Sequence, residues 1–153
     1  MADKFSIKYN IYAIPLETLE MTDTSQTLTG MHSSIDRTFG GGAALDCGAT
    51  PANVTNLDYA TTISGVAFSA LSFPSGLPQD IQFIFIRINS AVSTGTPDVE
   101  VSIDTGTPVY NLKLSGLGDC MLIRSGSLSS QAIFIKSSGT TARANVSILI
   151  GGT

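Results

Sequence analysis

Hydrophobic and polar positions alternate along much of this chain with a period of two residues, the spacing of strands that bury one face. In residues 5–11 the apolar side chains fall on one face, and Ser6, Lys8 and Asn10 fall on the other. Pro15 ends this run, because proline cannot donate a hydrogen bond to a strand ladder. The pattern therefore predicts an N-terminal strand.

The second half of the chain carries the clearest alternation. Residues 81–89 are apolar on both faces at their centre. This predicts a strand covered on one side by the core and on the other by a second element or a subunit. The other expected strands are residues 99–103, 110–114, 119–124, 131–136 and 145–150. The turns between them leave no room for a crossover helix, so we expect mainly antiparallel pairing.

The pattern is weaker between the N-terminal strand and residue 57. Leu16 and Leu19 stand at helical spacing, which predicts a single helical turn over residues 16–21. The remaining expectations are short strands at residues 24–29 and 34–39, a glycine hinge or bulge at 40–42, and a surface loop at 47–56.

Together these segments give roughly eight to ten short strands with the turn spacing typical of all-β sandwiches and barrels. We therefore predict an all-β fold: a single-domain antiparallel β-sandwich, jelly-roll-like in preference to immunoglobulin-like. Residues 1–15 are expected to form an N-terminal arm or strand that reaches a neighbouring molecule, since Pro15 separates it from the rest of the chain. Residues 16–153 are expected to form the sandwich.

Composition and charge exclude several classes of partner. The 153 residues include only 13% charged residues, and the net charge is −4. Binding to nucleic acid needs clustered lysine and arginine, whereas the eight basic residues here are scattered. The apolar runs, such as Phe83–Ile86, are far too short to span a bilayer, and the N-terminus lacks the apolar segment of a secretory signal. We expect synthesis in a cytosol, with no nucleic-acid or membrane partner.

Catalytic and metal-binding patterns are weak. His32 is the only histidine, and it stands in no motif of a nucleophile or a base. Cys47 and Cys120 are too far apart in sequence for a zinc-ligand spacing, and a reducing compartment favours free thiols over a bridge. We therefore predict a protein that is not an enzyme and has no catalytic residues, cofactor or metal.

Two sets of side chains, one acidic and one aromatic, are candidates for binding another molecule. Asp98, Glu100 and Asp104 share the polar face of one predicted strand, and they form either a solvated or salt-bridged face, a calcium site, or part of a subunit interface. Tyr12 and Tyr59 are the candidates for stacking on a sugar ring, because Tyr9 and Tyr110 are predicted to face inward and the chain has no tryptophan. The weak aromatic content makes a lectin the less favoured function.

A sequence of strands and turns across residues 81–150 resembles a known family. The residues that carry it are Val99–Asp104, Tyr110–Gly116, Gly118–Ile123 and Ala132–Ser138. In these residues the chain resembles small virion proteins of tailed bacteriophages, and it departs from them at Ser115–Asp119, where they usually have Pro-Gly-Glu. The resemblance implies a structural role, as a capsid decoration (cement) protein or a minor head or tail component, commonly oligomeric.

These observations lead to one functional expectation and one alternative. We expect a virion structural protein, a capsid decoration protein that stabilises the shell through subunit contacts and is assembled in the host cytoplasm. Its expected partners are the major capsid protein or other virion proteins and further copies of itself, with a trimer as the expected homo-oligomer. The alternative is a carbohydrate- or receptor-binding module of a phage tail or a bacterial surface. The candidate interface residues are Phe5, Ile7, Tyr9, Ile11, Ile84, Ile86 and Ile88.

Overall fold

The structure is a computed structural model. It describes residues 4–14, 16–21, 26–31, 39–61, 67–73, 76–92, 98–103, 112–129, 133–137 and 143–153. Predictions for His32, Asp104 and Tyr110, and for the strand at 34–39 before Phe39, lie outside these residues. In the described part no helix is long and apolar enough to cross a membrane.

The described chain is almost entirely β-structure, with one short 3-10 turn at Pro51–Asn53. The strands are β1 (Ser6–Ala13), β2 (Leu16–Met21), β3 (Gln26–Met31), β4 (Phe39–Asp46), β5 (Val54–Thr61), β6 (Ser69–Ala70), β7 (Asp80–Ala91), β8 (Val99–Ser102), β9 (Leu112–Leu114), β10 (Cys120–Ser129), β11 (Phe134–Ser137) and β12 (Ala144–Gly152). The all-β prediction is confirmed.

Two four-stranded sheets form the sandwich. Sheet A has the strand order β10-β7-β12-β5, and sheet B has the order β6-β11-β8-β9. Every pairing within both sheets is antiparallel, as the short connections predict. The preference for a jelly roll over an immunoglobulin-like topology stays a prediction.

The main core lies between the two sheets. Sheet A contributes the isoleucine face of β7 and the inward side chains of β12, and sheet B contributes β8, β9 and β11. Ile84, Ile86 and Ile88 are fully buried here, opposite the fully buried Val99 and Val101. These β-branched side chains suit a pleated surface packed on one face, which explains why alternation located these strands correctly.

The opposite face of sheet A is covered at one end by the start of β1 and the end of β4. Phe83 is buried on this face although it does not belong to the core between the sheets. Its cross-strand partner is Gly151, and a Cβ atom at Gly151 would meet the Cδ1 of Ile7 and lie 3.3 Å from the Sγ of Cys47. The prediction that β7 is covered on both sides is confirmed, and the second cover is an element of the same chain.

The chain divides into two compact units. One comprises Met1–Ile7 with Leu45–Thr153 and holds the sandwich; the other comprises Lys8–Ala44. Strands β1 and β4 pair with each other and pass from one unit into the other, and β2 pairs antiparallel with β3. The predicted arm over residues 1–15 that reaches a neighbouring molecule stays a prediction.

One local prediction is wrong, and a second is wrong in part. Leu16–Met21 is a strand and not a helical turn, because one isolated turn is costly to nucleate whereas pairing with β3 gives its backbone a ladder. Gly40–Gly42 is part of the continuous strand β4 and not a hinge, and the alternative of a bulge stays a prediction. A Cβ atom at Gly42 would lie 2.7 Å from the carbonyl oxygen of Tyr9, so close backbone approach explains this glycine.

A third prediction is right in part. Residues 47–56 do contain a turn at residues 48–49 and the 3-10 turn, but Cys47 is fully buried and β5 already begins at Val54. The Asn53 side-chain amide donates a 2.8 Å hydrogen bond to the Cys47 carbonyl oxygen, which links the two ends of this turn. The segment is therefore an ordered corner that carries a core residue.

Candidate functional site: the β1–β4 ribbon

The candidate interface residues separate into two groups. Ile84, Ile86 and Ile88 are fully buried between the sheets of their own chain, so a partner could reach them only by displacing the core. Ile7 is buried over sheet A, where it packs close to Gly151. Of the remaining three, Phe5, just before β1, and Tyr9 are half-buried, and Ile11 is exposed.

The exposed apolar side chains of the ribbon lie towards the end of β1. Ile11 is 52% exposed, Tyr12 is 66% exposed and Ile14, just beyond the strand, is also exposed. Ile11 and Tyr12 point to opposite faces, because successive side chains of a strand alternate. Both faces of the ribbon therefore present an apolar group to solvent. We call Ile11, Tyr12 and Ile14 the ribbon patch.

The glycines of β4 explain why the ribbon patch is uncovered. A Cβ atom at Gly40 would lie 3.5 Å from Cδ2 of Tyr12 and 3.4 Å from the carbonyl oxygen of Ile11. Strand β4 therefore approaches β1 closely with backbone alone and supplies no side chain there to shield the tyrosine ring. The exposed apolar groups at this end of the ribbon are therefore the candidate contact surface, with Ile11 on one face and Tyr12 on the other.

The acidic face predicted on β8 is salt-bridged. Lys113 Nζ lies 2.6 Å from a carboxylate oxygen of Asp98, and Lys136 Nζ lies 2.8 Å from one of Glu100. The Lys136 ammonium also lies 4.7 Å from the centre of the Phe68 ring, a cation–π distance. These pairs join β8 to both of its neighbours, so the described carboxylates of this face form ion pairs within sheet B.

The two cysteines are free thiols in different environments. Cys47 is buried and Cys120 is exposed. Burial raises the pKa of the Cys47 thiol above its ordinary value of 9.0, and the nearby Asp46 carboxylate acts in the same direction. A backbone hydrogen bond from Gly152 is the largest effect in the opposite direction, and a hydrogen bond from Ile7 and the Arg124 charge also lower the pKa. A buried thiol with a raised pKa is a poor nucleophile, so Cys47 is a packing residue.

The described residues contain no group of three or more histidine, cysteine or acidic side chains able to hold a metal ion.

The sequence singled out two residues of the ribbon patch, Ile11 as an interface residue and Tyr12 as a stacking candidate, and it missed Ile14. The signal for Ile14 is its place directly before Pro15, where a strand ends and side chains lose their neighbours. The side chain of Tyr59 lies outside the described part.

Comparisons with protein-family models, curated proteins and solved structures find no match to this chain. The ribbon patch is therefore the structural observation from which a function is proposed.

Proposed function

We propose that this protein is a virion structural protein, a capsid decoration protein that attaches to the shell through the ribbon patch. The observation that carries the proposal is the exposure of Ile11, Tyr12 and Ile14 on a ribbon whose other strand is glycine-rich at Gly40–Gly42. None of these side chains belongs to the described core between the sheets. Their exposure therefore serves contact with another molecule, and the major capsid protein is the partner that the sequence resemblance implies.

The energetics of attachment favour such a patch. Burying an isoleucine side chain contributes about 1.5–3 kcal/mol before the cost of ordering the contact. A few anchors of this kind, repeated at every lattice position, hold a small protein on a shell, because many linked contacts act as one multivalent interaction. This mechanism uses adhesion and needs no reactive centre.

The proposal is tested on particles produced by cells that encode this chain. Particles are purified by density gradient, and the chain is quantified by mass spectrometry and located by electron microscopy. We expect the chain at regular positions on the shell. Its absence from purified particles would refute the proposal.

A charged substitution in the patch tests the attachment surface. Ile11→Asp is expected to lower incorporation into particles by about tenfold or more, since a buried contact of this kind is worth at least about 1.4 kcal/mol. Val92→Asp is the matched control, because Val92 is 51% exposed but lies outside the ribbon. Equal incorporation of the two variants would show that the patch is not the attachment surface.

The alternative function, carbohydrate binding, is favoured by one observation: the Tyr12 ring is 66% exposed. An exposed aromatic ring with a hydroxyl group offers a flat apolar surface and a polar edge. If the chain binds sugars, Tyr12→Phe should keep most of the affinity measured on a glycan array and Tyr12→Ala should lose it. An absence of glycan binding by the wild-type chain excludes this alternative.

A further inference from the structure

Strand β10 forms one edge of sheet A, and it is long for an edge strand. It has ten residues, whereas the edges of sheet B are β6 with two and β9 with three. Long edge strands expose unpaired backbone groups and are templates for pairing with another chain. Within the described part, β10 pairs only with β7.

The direction of the backbone groups of β10 follows from its ladder with β7. The N–H of Ile88 donates a 3.0 Å hydrogen bond to the carbonyl oxygen of Asp119. Since antiparallel residues alternate between facing their partner and facing away, the backbone groups of Cys120, Leu122 and Arg124 point to the open edge. The ladder is regular from Cys120 to Arg124 and shifts register beyond Arg124. The usable part of the edge is therefore 120–124, with Leu122 at its midpoint.

The edge lacks the usual charged protection. Arg124 is the only charged residue of β10. Its guanidinium Nη1 donates a 2.7 Å hydrogen bond to the carbonyl oxygen of Gln82 on β7, where the register shift begins. The arginine therefore supplies a hydrogen bond within its own sheet, and its charge is drawn towards β7 and away from the open edge.

The segment is self-complementary about a two-fold axis through Leu122. In antiparallel pairing of two copies, Leu122 faces Leu122 of the second copy, Met121 faces Ile123, and Cys120 faces Arg124. Met121 and Ile123 are half-buried against the core and Leu122 is half-buried on the other face, so apolar groups meet apolar groups. No two like charges face each other, and every outward backbone group finds a partner.

The other long edge of sheet A is a poorer candidate. Strand β5 has eight residues, and its ladder with β12 shifts register between Val146 and Ile148, near the middle of β5. A shift at the centre of the strand interrupts regular pairing. The segment 120–124 has no such interruption.

We propose that two copies of this chain associate through β10, with antiparallel pairing centred on Leu122, so that two four-stranded A sheets join into one continuous sheet. This association is isologous, as a two-fold axis requires. It is independent of the proposed attachment to a shell, because it uses neither the ribbon patch nor β1. It gives a dimer and not the trimer expected in the sequence analysis, and the molar mass in solution distinguishes the two.

The first test measures molar mass by size-exclusion chromatography with light scattering over a hundredfold range of concentration. We expect twice the chain mass for the wild type and the monomer mass for Leu122→Lys, which places two lysines opposite each other. Leu149→Lys is the matched control, because Leu149 is half-buried on the same face but lies on the central strand β12. It should remain a dimer. Circular dichroism confirms that each variant is folded.

The second test measures the register and does not depend on a charged variant. In a Cys120→Ser background, Leu122→Cys is expected to form a dimer-specific disulfide under mild oxidation, because the Cα atoms of facing residues lie about 5.5 Å apart. Arg124→Cys in the same background faces the substituted position 120 of the second copy, which has no thiol, and should not cross-link. A monomeric wild type, a trimer, dissociation by Leu149→Lys, or equal cross-linking of both cysteine variants would each overturn the proposal.

Discussion

At the scale of single residues, the burial of Cys47 makes the free energy of unfolding depend on pH. Its thiol is neutral when protonated, and burial raises its pKa in the folded protein above the ordinary value of 9.0. The folded state therefore keeps the proton at pH values where the unfolded chain has released it, and the free energy of unfolding falls as pH rises through and above about 9. Below that pH the contribution is complete.

This predicts a difference between wild type and Cys47→Ala. Urea unfolding at pH 7, 9 and 10 should show a steeper loss of stability with pH for the wild type than for the variant. In the folded protein at pH 7, iodoacetamide should modify the exposed Cys120 and leave Cys47 unmodified. Parallel pH profiles for the two proteins would contradict the raised pKa of Cys47 in the folded state.

Thr55 carries a buried hydroxyl group whose removal should change the stability of the protein. It is fully buried opposite Ile150, and within the described part its hydroxyl oxygen has no hydrogen-bond partner. Thr55→Val keeps the shape and removes the unsatisfied hydroxyl, so the free energy of unfolding should rise by about 1 kcal/mol. Thr55→Ser keeps the hydroxyl and loses a methyl group, and should be destabilised. Denaturant titration that finds the valine variant less stable than wild type would contradict this.

At the scale of elements, the last strand closes against the start of β7 by backbone alone. Thr153 and Asp80 exchange backbone hydrogen bonds of 2.9 and 3.1 Å. A Cβ atom at Gly152 would collide with the carbonyl oxygen of Asp80 and lie 3.1 Å from Cβ of Pro78. Because backbone cannot move aside as a flexible side chain can, only glycine fits at this position.

Gly152→Ala should therefore destabilise the protein by about 2 kcal/mol or more, measured by chemical denaturation. Gly126→Ala is the control, since nothing lies within 4 Å of a Cβ atom there, and its effect should stay within about 0.5 kcal/mol. Equal effects of the two substitutions would show that the close approach is not what selects glycine at position 152.

The ion pairs across β8 make a prediction about sheet B. The Lys136–Glu100 pair is less exposed than the Lys113–Asp98 pair, and Lys136 also contacts Phe68. We expect Lys136→Met to cost about 1 kcal/mol of stability and Lys113→Met to cost less, about 0.5 kcal/mol or below. Thermal unfolding at low and high salt checks this, because the more exposed pair should lose more of its contribution in salt. A larger loss for Lys113→Met would contradict the ranking.

At the scale of the whole molecule, the sandwich is expected to fold without residues 8–44. All members of the main core belong to the other compact unit. The two ends to be joined are held close together, since Phe5 accepts a 2.9 Å hydrogen bond from Cys47 and donates one of 2.7 Å to Gly48. Joining Ile7 to Leu45 through Asn-Gly, a favoured hairpin turn, replaces the excised segment.

The excised protein should show β-type circular dichroism and one cooperative thermal transition. It should also be missing from particles if the ribbon patch mediates attachment, because the excision removes Ile11, Tyr12 and Ile14 but keeps Ile7 over Gly151. A non-cooperative transition would show that the sandwich depends on the excised residues. Normal incorporation into particles would instead count against the patch.

The sequence by itself determined the all-β class, the antiparallel pairing and most strand positions, because alternation with a period of two is a local property of a half-buried strand. It also located the strand with two covered faces, β7. It indicated the wrong structure for Leu16–Met21. The helical spacing of two leucines predicted a turn, but the segment pairs with β3, and this pairing is not visible in the local pattern.

The tertiary structure alone decided which surfaces are buried and which are free. Alternation shows that Ile84 and Phe83 lie on opposite faces, but both are buried, one between the sheets and the other beside β1, and long-range pairing determines this. The same pairing places β10 at an edge and leaves Tyr12 beside a bare Gly40. A short sequence pattern records what a residue prefers, whereas exposure depends on the segments, distant in sequence, that pack against it.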